Sequence, residues 1–230
     1  KKIPSTLGIS IQTSFDWRHK ILSTLNELAP KQLHEEVECD EMELSLSHKG
    51  SRNLKRKPRK RASDFKRNQA VDDKTVVQVV VAVERNGNSY LKAVESQRLS
   101  KDDISKVLDG KLADGVTLIT DKHASYKAFA KNKPKLKHKT LLAKDHVNKQ
   151  DHSIHLQKVN NTHSQLRKFL RPFNGVSSKY LQNYLNWFAY SGLLKTKKET
   201  IKQWLITILM ADQAYSLFEL FKENVVLIRT

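Results

Sequence analysis

Two aspartates stand where a carboxylate needs a compensating partner. Asp40 falls inside Val37–Leu44, a run that reads as a strand, and Asp121 ends a second short strand, Gly115–Asp121. An ionised carboxylate in an apolar strand forfeits hydration unless it is paired or metal-bound. Two such acids brought together from separate strands make a site for Mg2+, which takes oxygen ligands and keeps several waters beside one or two carboxylates. On these residues alone, two solvated acids at strand ends weigh equally. A third group lies on a helix starting near Lys158. Asn160, His163, Arg167 and Leu170 follow i, i+3, i+7, i+10 spacing there, so an amide, an imidazole and a guanidinium share one face. The competing reading is a polar helix face in solvent. His146, His152 and His155 raise zinc, but their spacing fits no closed four-ligand pattern and Cys39, the single cysteine, does not join them. Other chemistries lack their signatures. There is no glycine-rich phosphate loop and no Gly-x-Ser-x-Gly elbow, and Cys39 lies in a strand that reads as buried. Tyr126, Tyr180 and Tyr184 lack the Arg-His-Arg surroundings of a recombinase tyrosine. The spacing of Tyr180, Tyr184, Trp187 and Phe188 reads as helix packing.

These residues need elements to position them. Leu7–Leu28 reads as a turn and a helix capped by Ser10 or Thr13, with Phe15, Ile21, Leu22 and Leu25 on one face and Arg18, His19 and Lys20 on or beside the exposed side. It resembles half of a helix-turn-helix, with an ordinary packing helix at least as good a reading. After the first strand comes a basic stretch over 47–73, expected to be an exposed insertion. Val76–Val83 is continuously apolar apart from Gln78, as in a strand buried on both faces, and Arg85-Asn86-Gly87-Asn88 turns into a partner at Ser89–Val94. Ser100 caps a helix reaching about Leu112. A helix over Ala124–Lys131 and a strand over Lys137–Leu142 follow, then irregular chain over Lys144–His155. From about Lys158 the chain reads as helical to its end, broken near Pro172–Gly175 and Ser191-Gly192. The order, an antiparallel start followed by βα alternation, predicts an α/β fold with a mixed sheet. The expected core is ribonuclease-H-like and retroviral-integrase-like, at 35–190. Helical additions flank it at 1–34 and 191–230, the latter with an amphipathic helix carrying Ile201, Leu205, Ile208, Leu209, Leu217 and Phe221.

The chain has 230 residues and a net charge of +18, and that charge is clustered. Lys49–Arg67 holds ten basic residues against Asp64 alone, and Lys122–Arg171 holds thirteen against Asp145 and Asp151, so the remainder is slightly acidic. Clustered cations bind phosphate backbones by releasing counterions. The run Lys55, Arg56, Lys57, Arg59, Lys60 and Arg61 is therefore expected to grip DNA; a solvated surface or an address signal is the alternative. No apolar run approaches the roughly 20 residues of a membrane span, and a single cysteine excludes an internal disulfide. These bounds predict a soluble, cytoplasmic protein with no membrane partner.

Cys39-Asp40-Glu41-Met42 and Asp121-Lys122-His123-Ala124-Ser125-Tyr126 resemble the first two acid motifs of bacterial insertion-sequence transposases. Ile154–Leu170 and Phe173–Phe188 are more specific, and with Thr13–Leu22 they resemble the insertion-sequence family numbered fifteen-ninety-five, known by its ISXO-two-like transposase domain. The similarity covers about residues 7 to 190. It implies a nucleoid-associated DNA transposase whose catalytic set is Asp40, Asp121 and Asn160, with Arg167 seven residues on. Asn160 stands where many relatives have Glu, an Asn also occurring in the family, and Arg167 where Lys is usual. Asn161 is the register-shifted alternative. The same resemblance implies two Mg2+ ions, replaceable by Mn2+, held by Asp40, Asp121 and Asn160. It further implies double-stranded DNA, at element ends and target, as partner; phosphate contacts from Lys122, His163 and Lys168; and a homo-oligomer on DNA. Family members are expected to begin with a zinc ribbon and a complete helix-turn-helix. No Cys-x-x-Cys is present, so the chain reads as truncated, and a non-catalytic DNA-binding remnant is the rival function.

Overall fold

A computed structural model describes residues 2–27, 29–54, 76–142, 145, 147–197, 206 and 228–229. Its elements are helices α1 (Lys2–Leu7) and α2 (Ile11–Thr24), strands β1 (Glu36–Ser45), β2 (Val76–Glu84) and β3 (Ser89–Glu95), helix α3 (Lys101–Leu108), strand β4 (Thr117–Asp121), helix α4 (Ala124–Lys131), strand β5 (Lys137–Leu141), helices α5 (Gln157–Leu170) and α6 (Leu181–Lys197), and strand β6 (Ile228–Arg229). The strands form one mixed sheet in the order β5-β4-β1-β2-β3-β6. β1, β2 and β3 run antiparallel, whereas β4 and β5 continue the other side of β1 in parallel. That is the ribonuclease-H-like arrangement expected from the element order.

β2 explains why the sheet is covered on both faces. Val77, Val79, Val81 and Val83 enter one core with Met42, Ile119, Val159, Leu166 and Leu185, beneath α5 and α6. Val80 and Ala82 enter the other with Val37, Leu118, Ile104, Tyr126 and Phe129, beneath α3 and α4. The period of two assigns alternate residues to opposite cores, and each fully buried valine contributes roughly 1.5–3 kcal/mol. The β2–β3 turn uses Gly87 at φ +118°, a conformation that side chains with a Cβ rarely adopt. The edge of β3 is closed from α6: Ala93 N–H donates to Gln182 Oε1 at 3.0 Å and Gln182 Nε2 donates to Leu91 O at 2.9 Å. One amide thus imitates a neighbouring strand and removes two exposed ladder groups.

Several boundaries depart from the sequence reading. α3 has the expected Ser100 cap, reciprocated by Asp103, but ends at Leu108 rather than Leu112. Asp109 is extended there, Gly110 takes φ +73°, and Leu112 forms an isolated parallel bridge with Leu33. Strand β4 begins at Thr117 because Gly115, at φ +84°, still belongs to the turn. α6 runs through Ser191 and Gly192 without a break, and Ser191 Oγ donates to Trp187 O at 2.8 Å, so the hydroxyl is satisfied within the helix. The chain is not helical to its end: Ile228–Arg229 pairs with Val94–Glu95 as β6, meeting the outer edge of β3.

His19 is the clearest reversal. It was expected on or beside the exposed side of α2, yet it is 1% exposed. α2 lies on α6, where the His19 ring stacks on Tyr180 at 4.1 Å and meets Phe15 and Tyr184, while Nδ1 lies 3.1 Å from Asn183 Nδ2. Helical spacing placed Leu22 and Leu25 in the core, but Ile21 of the same expected stripe is exposed, and the spacing did not show the aromatic wall that buries His19. α2, capped by Ser10 as expected, serves as a packing helix here. Tyr184, Trp187 and Phe188 likewise pack, against Phe169 and Phe173. The tail residues Ile201, Leu205, Ile208, Leu209, Leu217 and Phe221 lie outside the described residues, as does most of the insertion at 47–73.

Candidate active site

Strand pairing brings the two aspartates together. Glu36, Val37 and Glu38 of β1 pair in parallel with Thr117, Leu118 and Ile119 of β4. Continuing that register by two residues sets Asp40 level with Asp121. Both therefore fall on the face of the sheet that α5 covers, with Met42 and Ile119 beside them in the core. The Asp40 carboxyl is pushed up to about 7, first by burial and then by the negative charges of Glu41 and Asp121. Asp121 keeps its place by accepting the N–H of His123 on Oδ1 at 2.9 Å. His123 in turn caps α4.

α5 closes this face through Val159, His163 and Leu166, its buried residues. His163 Nδ1 lies 4.0 Å from Asp40 Oδ2. Its pKa is lowered to about 4, mainly by burial and secondly by the Arg167 charge, so the ring is neutral at pH 7. His163 Nε2 is buried without a hydrogen-bond partner. Expected as a phosphate contact, His163 is only 6% exposed and faces Asp40. Asn160 and Arg167 are exposed and lie within about 60° of His163 around the helix axis, whereas Asn161 points about 160° away. The geometry thus sets Asn160, not Asn161, on the flank shared with the aspartates. Lys168 is exposed on the opposite side of α5, and Lys122 is exposed directly after Asp121. Lys55, Arg56, Lys57, Arg59, Lys60 and Arg61 lie outside the described residues.

Asp40, Asp121 and the Asn160 amide offer hard oxygen donors of the type a divalent cation accepts. A bound cation would offset the burial and the neighbouring charges of Glu41 and Asp121 that raise the Asp40 pKa. Among the described residues, no three His, Cys, Asp or Glu side chains converge as a metal cluster. Of the histidines considered for zinc, His152 is exposed, His155 faces Glu38 and His146 lies outside the described residues.

Two acids at the site escaped the sequence reading. Glu41 follows Asp40 but projects to the opposite face, toward Tyr126. Burial raises its pKa and Asp121 adds to this, while the Tyr126 hydrogen bond opposes it. Glu38 is 0% exposed, and its carboxylate accepts the N–H groups of Lys158 at 2.8 Å and Val159 at 3.1 Å. The signal for Glu38 was available: it stands two residues before Asp40, on the same face of the same strand.

The sheet order and the paired aspartates under α5 define a ribonuclease-H-like domain. A family profile, the ISXO2-like transposase domain, matches residues 32–191, and the chain belongs to that family. No curated protein matches it. Among solved structures, it is similar to a chain of the simian T-cell lymphotropic virus intasome in complex with PP2A regulatory subunit B56 gamma. That similarity has 11% identity and a TM-score of 0.42, covering 71% of this chain and 49% of that one. It is also similar to a chain of the Mos1 strand transfer complex, with 12% identity and a TM-score of 0.36, covering 98% of this chain and 72% of that one. The chain thus spans about half the length of the first of these structures. Among the described residues, no helix is long and apolar enough to cross a membrane.

Proposed function

We propose that the protein is a DNA transposase that cleaves strands at the ends of an insertion sequence and transfers them to target DNA. The observation that carries this reading is the parallel pairing that sets Asp40 level with Asp121 beneath α5, in a chain of the ISXO2-like family. Asp40, Asp121 and Asn160 would hold two Mg2+ ions, replaceable by Mn2+, with Asp40 shared. Such ions supply Lewis-acid stabilisation to the attacking and leaving oxygens of an in-line displacement. Asp40 and Asp121 contribute charge, and Asn160 contributes a neutral oxygen from an exposed position.

Neutral His163 backs Asp40 and excludes water from its inner side. Arg167 sits one turn beyond, exposed, where its guanidinium can contact a phosphate of the strand being cut. Lys122 and Lys168 add backbone contacts, and the basic run from Lys55 to Arg61 adds a further, sequence-independent grip on double-stranded DNA. Joining two element ends calls for at least two copies of the chain on DNA, in the nucleoid of a bacterial cytoplasm.

The test is cleavage and joining of labelled element ends in Mg2+ or Mn2+ by the parent chain and by Asp40→Ala and Asp121→Ala. Each substitution should abolish both steps and leave DNA affinity largely intact. Retained cleavage in either variant would remove the site assignment. A parent that binds DNA but cuts with neither metal would favour a DNA-binding remnant instead.

A further inference from the structure

α5 begins without a cap of its own. Leu156 precedes it, and no side chain of that residue can accept a hydrogen bond from the first turn. The first N–H groups of any helix have no intrahelical acceptor and create a region of positive potential. Here the acceptor comes from another element. Glu38 Oε2, on β1, accepts N–H from Lys158 and Val159, the second and third residues of α5. Its other oxygen lies 3.3 Å from Arg85 Nε and 3.1 Å from His155 Nδ1. Arg85 also pairs with Glu36 and donates to Ser153 O, in the loop leading into α5. Glu38 has no accessible surface, and both oxygens are engaged, so it is unsuited to touch DNA or a metal ion.

We infer that Glu38 is a positioning residue: it locks the first turn of α5 onto β1 and thereby fixes Asn160 relative to Asp40. Glu38 and Asp40 project from one face of one strand, about 6.7 Å apart along it. Their partners, Lys158 and Val159 for Glu38 and His163 for Asp40, follow one another along one helix. Two contacts between the same pair of elements set both the axial position and the rotation of α5. Asn160 lies between them along the helix, so its backbone position is set from both sides. Arg85 pairs with the buried Glu38 carboxylate and ties the entry loop to the same point.

The inference rests on the catalytic reading of Asp40 and Asn160 for its consequence, but its physical core has a separate readout. The experiment compares the full chain with Glu38→Ala, Glu38→Gln and Arg85→Met. It measures amide hydrogen exchange at Lys158 and Val159, kcat and KM for cleavage of a DNA end, and the Mn2+ concentration at half-maximal rate. Glu38→Ala should speed exchange in the first turn of α5 and leave the β2 amides protected. It should lower kcat about tenfold to hundredfold, as loss of a supporting partner does, and raise the Mn2+ requirement, with KM for DNA within about twofold. Glu38→Gln keeps an oxygen for both N–H groups and should restore the exchange protection and much of kcat. Unchanged exchange at Lys158 and Val159 in Glu38→Ala overturns the inference. So does a rate that merely follows the folded fraction, with Glu38→Gln no better than Glu38→Ala. A parent chain that cuts no DNA defeats the transposase reading alone, because the exchange result still decides the lock. Should Glu38→Ala fail to fold, Arg85→Met takes its place: it should speed exchange at Lys158 and Val159, and unchanged exchange there overturns the inference.

Discussion

His163 and His19 are both nearly enclosed and both lowered to a pKa of about 4 by burial, yet their surroundings are opposite in kind. His19 sits between α2 and α6 in a wall of Phe15, Tyr180 and Tyr184, with Asn183 beside its ring nitrogen. That region is packed for its own stability. His163 lies between α5 and β1, against a carboxyl that burial, and then the charges of Glu41 and Asp121, drive toward protonation. That region holds like charges together, which a bound cation would relieve. Equal burial and an equal direction of shift therefore distinguish nothing, whereas the packed rings around His19 and the Asp40 carboxyl beside His163 separate the two histidines.

The largest effect expected concerns the charged region alone. Asp40→Ala or Asp121→Ala should bring metal-dependent cleavage to background without lowering the melting temperature, since each removes one of two repelling carboxylates. Asn160→Ala should also abolish cleavage, and Asn160→Glu should lower the Mn2+ concentration required by adding a negative charge. Should Asn160→Ala match the parent across a Mn2+ titration, the third ligand lies elsewhere.

The two regions should then respond differently to pH and metal. The raised pKa of Asp40 means that the folded state binds its proton more tightly than the unfolded state. Asp40's own contribution to stability in metal-free buffer should consequently fall by a few kcal/mol as pH rises from about 4 to about 7, against the opposite contributions of His19 and His163. Asp40→Asn should remove that fall in thermal melts, and Mg2+ should offset it in the parent. His19 has the opposite sign. Its lowered pKa contributes stability that is complete above pH 6.5 and lost as pH falls toward 4, to the extent of about 3 kcal/mol. His19→Phe should remove its share of that acid limb and leave the share of His163, and Mg2+ should leave His19's contribution unchanged. A Mg2+ effect on it would show that the two regions are coupled.

Smaller effects belong to the scaffold. Gln182→Ala leaves Ala93 N–H and Leu91 C=O without their partner and should cost about 2 kcal/mol in denaturant unfolding. Ser100→Ala removes the cap of α3 and should cost about 1 kcal/mol. Neither should change the metal requirement of cleavage, since neither residue touches the α5–β1 contact.

Much of the fold was legible because local pattern and tertiary context agree. The run Val76–Val83, apolar apart from Gln78, is satisfied between two cores, and Ser100 with Asp103 forms a helix capping box. The helix bounds Ala124–Lys131 likewise follow from local signals. Asp40 and Asp121 were legible as strand acids, and the match of residues 32–191 to the ISXO2-like family agrees with the motifs around them. What the one-dimensional pattern determined was therefore which residues form elements and which acids sit oddly within them. Only the tertiary structure decided which elements meet. The parallel register of β1 with β4 set Asp40 level with Asp121, and the packing of α6 buried His19. Glu38 became the cap of a helix 120 residues away. Such pairings depend on contacts between segments far apart in the chain, and neither helical nor strand periodicity carries information about them.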